Sequence, residues 1–153
     1  MKLTEILVRD ACIVDMRAKT KKEALRELAD SLAGTHELLA PDALLEMLLE
    51  RERLGTTAMG DGIAIPHARV EALGQVLAGF GRSRLGVDFD SVDGKRTHLF
   101  FLLVAPGTEG NTHLLTLARL SRFLTKPEFR SKLLEVEEVN DLFLALEEED
   151  SGD

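Results

Sequence analysis

The sequence predicts an α/β fold: a single domain in which a mixed β-sheet is flanked by helices on both faces. Helix-period segments occupy both ends of the chain, and strand-like segments fill its middle. In THLFFLLVAP, residues 97–106, both alternating faces are apolar, which is typical of a strand covered on two sides. The length of 153 residues suffices for one continuous core, so residues 1–153 are expected to form one domain.

Two helices are expected in the first third of the chain. Residues 20–23, TKKE, fit a capping box and predict a helix from about Lys21 to Ala33, followed by Gly34 as its stop. A second helix is expected to open at Pro41 and to carry a stripe of leucines toward the core before Gly55 ends it.

The middle of the chain has the composition of strands and turns. GTTAMGDG, residues 55–62, is expected to be a loop, and IAIP after it a short strand. A stronger strand signal lies at residues 75–81, QVLAGFG. Between it and the long apolar strand, residues 86–96 predict a strand and a turn at Asp93-Gly94.

Helical periodicity returns in the last third. Three helices are expected there, and their predicted cap residues are Asn111 or Thr112, Thr125 with Glu128, and Asn140. The first helix carries leucines at helical spacing through Leu124, and the last is expected to end near Leu146. The acidic tail beyond it, from about residue 147, is expected to fray.

The composition argues against several classes of function. A formal net charge of −8, with no Trp or Tyr, disfavours nucleic-acid binding, which depends on clustered Lys and Arg and on aromatic stacking. No secretory signal is visible, and no apolar run approaches the ~20 residues of a membrane span. Cys12, in the strand-like ACIVDM, is the single cysteine, so it can form no intramolecular disulfide and supplies no zinc cluster. We therefore expect a soluble, cytoplasmic protein without membrane insertion.

Several motif-like features lack the residues that their chemistry needs. GTTAMGDG has half of a P-loop but no lysine, GRSRLG is one residue too long for a nucleophile elbow, and DFDSVDG departs from calcium-loop spacing. His36 and His98 belong to no motif and are interpreted as a loop residue and a strand residue. A metal site would have to combine His67, Glu71 and His113 without any supporting pattern, so no metal is expected.

His67 stands apart because three features converge on it. Pro66 restrains the backbone and biases Ile65 toward extended geometry, so a strand is expected to run up to the histidine and present it at a rim. The glycine-rich loop before it is expected to offer backbone N–H groups to an anion. An imidazole with a pKa of ~6.5 is largely neutral and nucleophilic near pH 7. His67 is therefore a candidate acceptor of a phosphoryl group.

The string RERLGTTAMGDGIAIPH, from Arg51 to His67, closely resembles the signature around the phosphorylated histidine of enzyme IIA domains. These domains belong to the bacterial phosphoenolpyruvate-dependent phosphotransferase system, of the fructose/mannitol and nitrogen-regulatory types. Five further segments resemble the family in the same order: MKLTEIL, TKKEALRELA, VDFDSVDGK, LFFLLVAPG and THLLTLARLSRFL. Together they cover nearly the whole chain. Two departures lie in the loop, where Ala58-Met59 replaces the more usual Gly-Ile pair and Thr56 stands where Ser is frequent.

The resemblance implies a role for each matching residue. His67 would receive the phosphoryl group from the phosphohistidine of the carrier HPr, and no cofactor is implied because the donor is a protein. His113 would orient and stabilise the group, and Arg51 would share its charge. Spacing alone leaves Arg51 and His113 open between these roles and ordinary structural ones. Thr57 is a possible further contact with the phosphoryl group.

Three functions remain open for such a domain. The main hypothesis is a phosphotransferase protein that acts as a nitrogen-type regulator, because a separate IIA chain beginning MKLTEIL resembles that group. Its phosphorylation state would then decide which target protein it binds. The alternatives are the IIA component of a sugar transport system, passing phosphate to a IIB domain, and a IIA-like binding module that has lost transfer.

Overall fold

A computed structural model of the chain describes residues 2–107 and 112–152, the side chains of 112 and 113 excepted. The elements follow one another as α1 (Leu3–Ile6), β1 (Leu7–Ile13), α2 (Lys21–Ala33), α3 (Pro41–Arg53), β2 (Ala58–Gly60), β3 (Ile63–Ala64), β4 (His67–Arg69), β5 (Leu77–Val87), β6 (Thr97–Ala105), α4 (Thr112–Leu124), α5 (Pro127–Leu134) and α6 (Val139–Gly152). Thr112 is the first residue of α4, and Asn111, the other expected cap, lies outside the described residues. Within these ranges no helix is long and apolar enough to cross a bilayer.

The strands of the described residues form one mixed sheet. Its order is β1-β5-β6-β3-β2, and β4 also pairs with β6. The long central pair, β5 and β6, is antiparallel. β1 runs parallel to β5, whereas β3 and β4 run parallel to β6. β6 is therefore the strand that connects the two halves of the sheet.

Successive residues of β6 face opposite sides of the sheet. The odd-numbered residues from Leu99 to Ala105 belong to one buried cluster, together with residues of α4, α5 and α6. The even-numbered residues from Phe100 to Val104 belong to a second cluster, formed with α2 and α3. This arrangement confirms the predicted mixed sheet with helices on both faces, and it explains why this strand is apolar throughout.

The first two long helices match their predictions. α2 has the predicted bounds, and its capping box is formed: the Thr20 hydroxyl accepts from Glu23 N, and the Glu23 carboxylate accepts from Thr20 N, each at 3.2 Å. Pro41 occupies the first turn of α3, and the leucines of its stripe face the second cluster. Both helices are specified by contacts within a few residues, which is why the sequence reveals them.

The middle of the chain differs from its prediction in detail. The loop expected at residues 55–62 contains the short strand β2, which pairs with β3. β5 extends to Val87, and residues 88–96 form no strand, so the strand expected within 86–96 is wrong beyond its first two residues. The predicted turn at Asp93-Gly94 is present, since Gly94 N donates to Ser91 O at 3.0 Å and Gly94 has a φ of 74°.

Two predicted caps in the last third are wrong. The Thr125 hydroxyl donates to Arg122 O at 2.6 Å, at the end of α4, and the N-cap of α5 is Lys126 without a side-chain bond. Asn140 lies inside α6, and its side-chain oxygen accepts from Arg9 at 3.1 Å. Thr125 thus bonds to the preceding helix, and Asn140 bonds to a residue far away in the chain, so neither side chain acts as the cap that the local pattern predicts.

The acidic tail is helical, which corrects the expectation that it frays from about residue 147. α6 continues to Gly152 because its carboxylates have partners elsewhere in the fold. The Asp150 carboxylate accepts from Leu3 N at 3.0 Å and from Thr4 N at 3.2 Å, at the first turn of α1. Two further ion pairs hold the same helix: Lys126 with Glu149 at 2.9 Å and Lys132 with Glu148 at 2.7 Å.

Candidate functional site

His67 lies at the start of β4, not at the end of a strand as predicted. Ile63 pairs with Leu99 and His67 with Leu103, so β3 and β4 follow β6 with one unchanged register. The two strands are separate only because Pro66, between them, has no N–H to donate. The Pro66 carbonyl still accepts from Leu103 N at 2.9 Å. The backbone on both sides of Pro66 is thus paired with β6, and this pairing fixes the position of His67.

The loop before this segment uses its backbone N–H groups within the protein. Thr57 N donates to the Glu52 carboxylate at 3.0 Å, and Asp61 N donates to the Asp93 carboxylate at 2.9 Å. Ala58 N donates to the hydroxyl of Thr56 at 3.1 Å. These three groups therefore do not form the anion-binding lining that the glycine-rich loop was expected to provide.

Asp93 fixes the turn that leads into β3. Gly60, Asp61 and Gly62 all have positive φ values, of 90°, 56° and 80°, so the turn needs glycine at two of its three positions. Hydrogen bonds from Asp61 N, the Ser91 hydroxyl and Lys95 N lower the pKa of Asp93 to about 2. The carboxylate therefore stays ionised, and keeps its bonds to the turn, at any pH near neutrality.

The hydrogen bonds of the His67 ring define its tautomer. Nδ1 lies 2.8 Å from Ile65 O, which can only accept, so Nδ1 carries the proton. On the other side of the ring, Arg51 Nε donates to Nε2 at 3.2 Å. An arginine cannot accept, so Nε2 must present its lone pair. The two bonds agree on a neutral imidazole with Nε2 as the nucleophilic atom.

The surroundings of His67 favour that neutral form. Burial lowers the pKa of the imidazole below its ordinary value, and the positive charge of Arg51 lowers it further. The hydrogen bond to Ile65 O and the charge of Glu52 act in the opposite direction but do not reverse the shift. The ring is therefore unprotonated at neutral pH and available for nucleophilic attack.

Arg51 and His67 share one open cavity. It has a volume of about 410 Å³ and is lined by Met47, Glu50, Arg51, Leu54, His67, Ala68 and Arg69. Arg51 comes from the last turn of α3, where Nη1 donates to Gly55 O at 3.0 Å and fixes the guanidinium. The structure thus brings together two residues that lie sixteen positions apart and that spacing alone did not link.

Thr57 is not among the residues that line this cavity. It is buried, and its hydroxyl donates to the Glu52 carboxylate, which also pairs with Lys21 Nζ at 2.9 Å. Sequence reasoning missed Glu52 and Lys21 as supports of the site. Glu52 is adjacent to Arg51 in the chain, but no local pattern indicates that its side chain turns back to the loop.

The other predicted positions give a mixed result. The backbone of His113 lies in the first turn of α4, as predicted, but its side chain lies outside the described residues. Thr56 is one of the two departures from the family signature, and its hydroxyl donates to Phe89 O at 2.6 Å, a bond that serine could also make. Met59, from the other departure, is exposed. Outside the undescribed positions, no group of three His, Cys, Asp or Glu side chains could hold a metal ion.

Comparison with known proteins places the chain in a family. The family described as "Phosphoenolpyruvate-dependent sugar phosphotransferase system, EIIA 2" matches residues 5–149. A nitrogen regulatory protein of Bradyrhizobium diazoefficiens is 40% identical over 136 residues, which cover 87% of this chain and 86% of that protein. The crystal structure of nitrogen regulatory protein IIA-Ntr from Neisseria meningitidis superposes with a TM-score of 0.88 at 32% identity, covering 94% of this chain and 98% of that one.

A longer relative has the same segment as one part. The fructose-specific EIIABC component of Bacillus subtilis is 39% identical over 137 residues, which make up 90% of this chain but only 22% of that protein. The resemblance seen in the sequence is therefore confirmed over nearly the whole chain and by the fold. The chain belongs to the EIIA 2 family of the phosphoenolpyruvate-dependent sugar phosphotransferase system.

Proposed function

We propose that the protein is a phosphocarrier in which His67 accepts a phosphoryl group from the phosphohistidine of an HPr-type protein. The observation that carries this proposal is the tautomer of His67, with Nδ1–H held by Ile65 O and Nε2 facing Arg51. The Nε2 lone pair attacks phosphorus, and the N–P bond of the donor breaks. The electron pair of that bond returns to the donor imidazole, so no cofactor or other reactant is needed.

Arg51 changes partner during this step. In the resting site its guanidinium donates to Nε2, the atom that must form the new bond. On attack the guanidinium releases Nε2 and donates to the phosphoryl oxygens, for which its planar set of N–H donors is suited. Because Nη1 is anchored on Gly55 O, the charge stays at the cavity while the Nε donor changes its acceptor.

His113 and Thr57 complete the proposal. His113, in the first turn of α4, is proposed to orient and stabilise the phosphoryl group, a role supported by the family resemblance and by the dipole of a helix N-terminus. Thr57 contributes as an anchor of the loop, since its hydroxyl donates to Glu52. A direct contact between Thr57 and the phosphoryl group would require that bond to break.

The phosphorylated protein is proposed to act as a nitrogen-type regulator in the cytoplasm, with residues 1–153 forming one IIA domain. This proposal is supported by the relative named nitrogen regulatory protein, to which the chain is 40% identical. A phosphoryl group adds ~1.5 to 2 negative charges beside Arg51 and Arg69, so a target protein docking there would distinguish the two states.

A role in sugar transport is the second candidate, supported by the fructose-specific relative. In that role His67 would pass its phosphoryl group to a IIB domain. A third alternative, a binding module without transfer, has less support, since a neutral His67 beside Arg51 is suited to accept a phosphoryl group once Arg51 releases Nε2. A chase with purified IIB domains separates the first two: rapid loss of the label to one IIB domain would support transport.

Intact-mass spectrometry tests the phosphocarrier proposal. The protein is incubated with phosphoenolpyruvate, Enzyme I and HPr, and each component is omitted in turn. One acid-labile phosphoryl group is expected, dependent on HPr, absent in His67→Ala and retained in the control His36→Ala. Full labelling of His67→Ala would refute the assignment of the acceptor. Failure of the folded wild-type protein to be labelled would leave the binding module as the better description.

A further inference from the structure

A second cluster of cationic side chains lies at the opposite end of β6 from His67. His98 is the second residue of β6, whereas His67 pairs with Leu103, five residues further along the strand. At the usual rise of a β-strand this separates the two histidines by about 16 Å. Since the cavity of His67 and Arg51 is lined by α3 and β4, the cluster around His98 is a separate feature of the molecule.

The cluster lines a cavity of about 570 Å³. Its lining residues are Asp61, Gly62, Lys95, Arg96, His98 and Arg130. Three cations thus face one carboxylate, in a chain whose net charge is −8. Within the described ranges, none of the three cations forms an ion pair: Arg96 and Arg130 donate to main-chain carbonyls, of Leu85 at 3.5 Å and Leu124 at 2.8 Å. The Asp93 carboxylate, which accepts from Asp61 N and Lys95 N, partly offsets the charge of Lys95, whereas Arg96 and Arg130 have no such carboxylate partner among the described residues.

The imidazole of His98 is held in place by its surroundings. Nδ1 lies 2.8 Å from Ser83 O, which only accepts, so Nδ1 carries the proton and Nε2 remains the basic atom. Gly86 packs against the ring so closely that a Cβ there would lie 2.9 Å from Nε2, and a Cβ on Gly62 would lie 3.8 Å from Cδ2. His98 is thus the strand residue that the sequence predicts, and it is fixed between two glycines beside a cationic cavity.

We propose that this cavity binds the phosphate group of a small molecule. Its volume lies within the usual range of ligand sites, and guanidinium groups recognise phosphate through paired, charge-assisted hydrogen bonds. The His98 ring lines the same cavity, so a bound anion would lie beside it. The proposal is independent of phosphoryl transfer at His67, because it needs neither a donor protein nor the His67–Arg51 cavity.

The adjoining surface indicates that the ligand carries more than one phosphate. Arg96 also lines a neighbouring cavity of about 660 Å³, whose lining includes Arg17, Lys19 and Arg84 together with Asp15, and Asp15 pairs with Arg84 at 3.8 Å. Because Arg96 belongs to both linings, a second phosphate attached to the first would extend toward this neighbouring cavity. Inorganic phosphate and a diphosphate ester share the same recognition chemistry, so the experiment must distinguish them.

Nuclear magnetic resonance of the histidine rings provides the test. The ¹⁵N-labelled protein is titrated with inorganic phosphate, pyrophosphate and a nucleoside diphosphate at constant ionic strength, and His98 is assigned with His98→Gln. Saturable shifts of the His98 ring signals are expected. Tighter binding of pyrophosphate or the nucleotide than of phosphate would show that the ligand extends beyond Arg96.

Charge variants test whether the named side chains hold the anion. Lys95→Gln combined with Arg96→Gln is expected to weaken binding at His98 by about tenfold or more. Lys22→Gln removes the same kind of charge from an exposed position on α2 and is expected to leave affinity unchanged. Shifts confined to His67, equal shifts with chloride, or unchanged affinity in the double variant would each overturn the proposal. None of these results would bear on whether His67 accepts a phosphoryl group.

Discussion

Removal of the Glu52 carboxylate should destabilise both the fold and the site. In Glu52→Ala two donors of Thr57, its backbone N–H and its hydroxyl, lose their acceptor in a buried environment. Each unpaired buried donor costs about 1–2 kcal/mol. Lys21, whose side chain is 21% exposed, can be rehydrated and adds little. The free energy of unfolding should fall by about 3 kcal/mol, and Tm by about 6–12 °C for a chain of this length.

The same substitution should slow phosphoryl acceptance at a temperature where the variant remains folded. The carbonyl of Thr57 accepts from Ile65 N at 3.1 Å, and the carbonyl of Ile65 accepts from His67 Nδ1 at 2.8 Å. A displaced Thr57 would therefore disturb the bond that fixes the tautomer of His67. Glu52→Gln retains one acceptor oxygen, so it should lose less stability and retain more activity.

Urea unfolding and a single-turnover labelling assay measure the two effects. Glu46→Ala is the matched control, because Glu46 is an exposed carboxylate on the same helix, and it should change stability by less than about 0.5 kcal/mol. If Glu52→Ala were as stable as this control, the carboxylate would not anchor the loop. If stability fell but the His67 pKa and the labelling rate were unchanged, the network would support the fold alone.

Three further outcomes follow from the structure. Arg51→Gln should raise the pKa of His67, measured by NMR, because it removes a positive charge, and it should slow labelling because the phosphoryl oxygens lose a donor. Because the pKa of folded His67 is lowered, the loss of labelling in acid should occur at a pH below ~6.5. The unfolded chain binds a proton at His67 more readily than the folded protein, so the contribution of His67 to the free energy of unfolding should decline as the pH drops below ~6.5 and level off below the folded pKa. Burial raises the pKa of Cys12 to about 12, so its reaction with iodoacetamide at pH 8 should be much slower in the folded protein than in urea.

The sequence predicts those parts of the fold that local contacts determine. The capping box of α2 joins residues three positions apart, and the apolar run of β6 reports burial on both faces directly. The tail of α6 could not be predicted in this way, because Asp150 bonds to the other end of the chain. An acidic tail with no visible partner favours fraying, and only the tertiary structure supplies the partner.

The candidate site likewise has features that the sequence reveals and contacts that only the structure reveals. His67 stands out in the sequence because a proline and a glycine-rich loop precede it. The bond from Arg51 to Nε2 and the bond from Thr57 to Glu52 depend on how α3 ends beside β4, which no spacing rule reveals. Backbone N–H groups that were expected to bind an anion instead bind protein side chains, since nearby carboxylates compete for the same donors.

The two cavities should respond to phosphorylation differently, because their separation exceeds the range of the electrostatic interaction. At His67 two arginines face one glutamate, so a phosphoryl group carrying ~1.5 to 2 negative charges reverses the local sign. The cationic cluster at His98 lies about 16 Å away along β6, twice the Debye length of ~8 Å at physiological ionic strength. A partner that docks near His67 would therefore sense the phosphoryl group directly, while the charge presented at His98 stays nearly constant. An influence of one site on the other would travel through the structure that joins them, either along β3, β4 and β6 or along the segment from the end of α3 to Gly62.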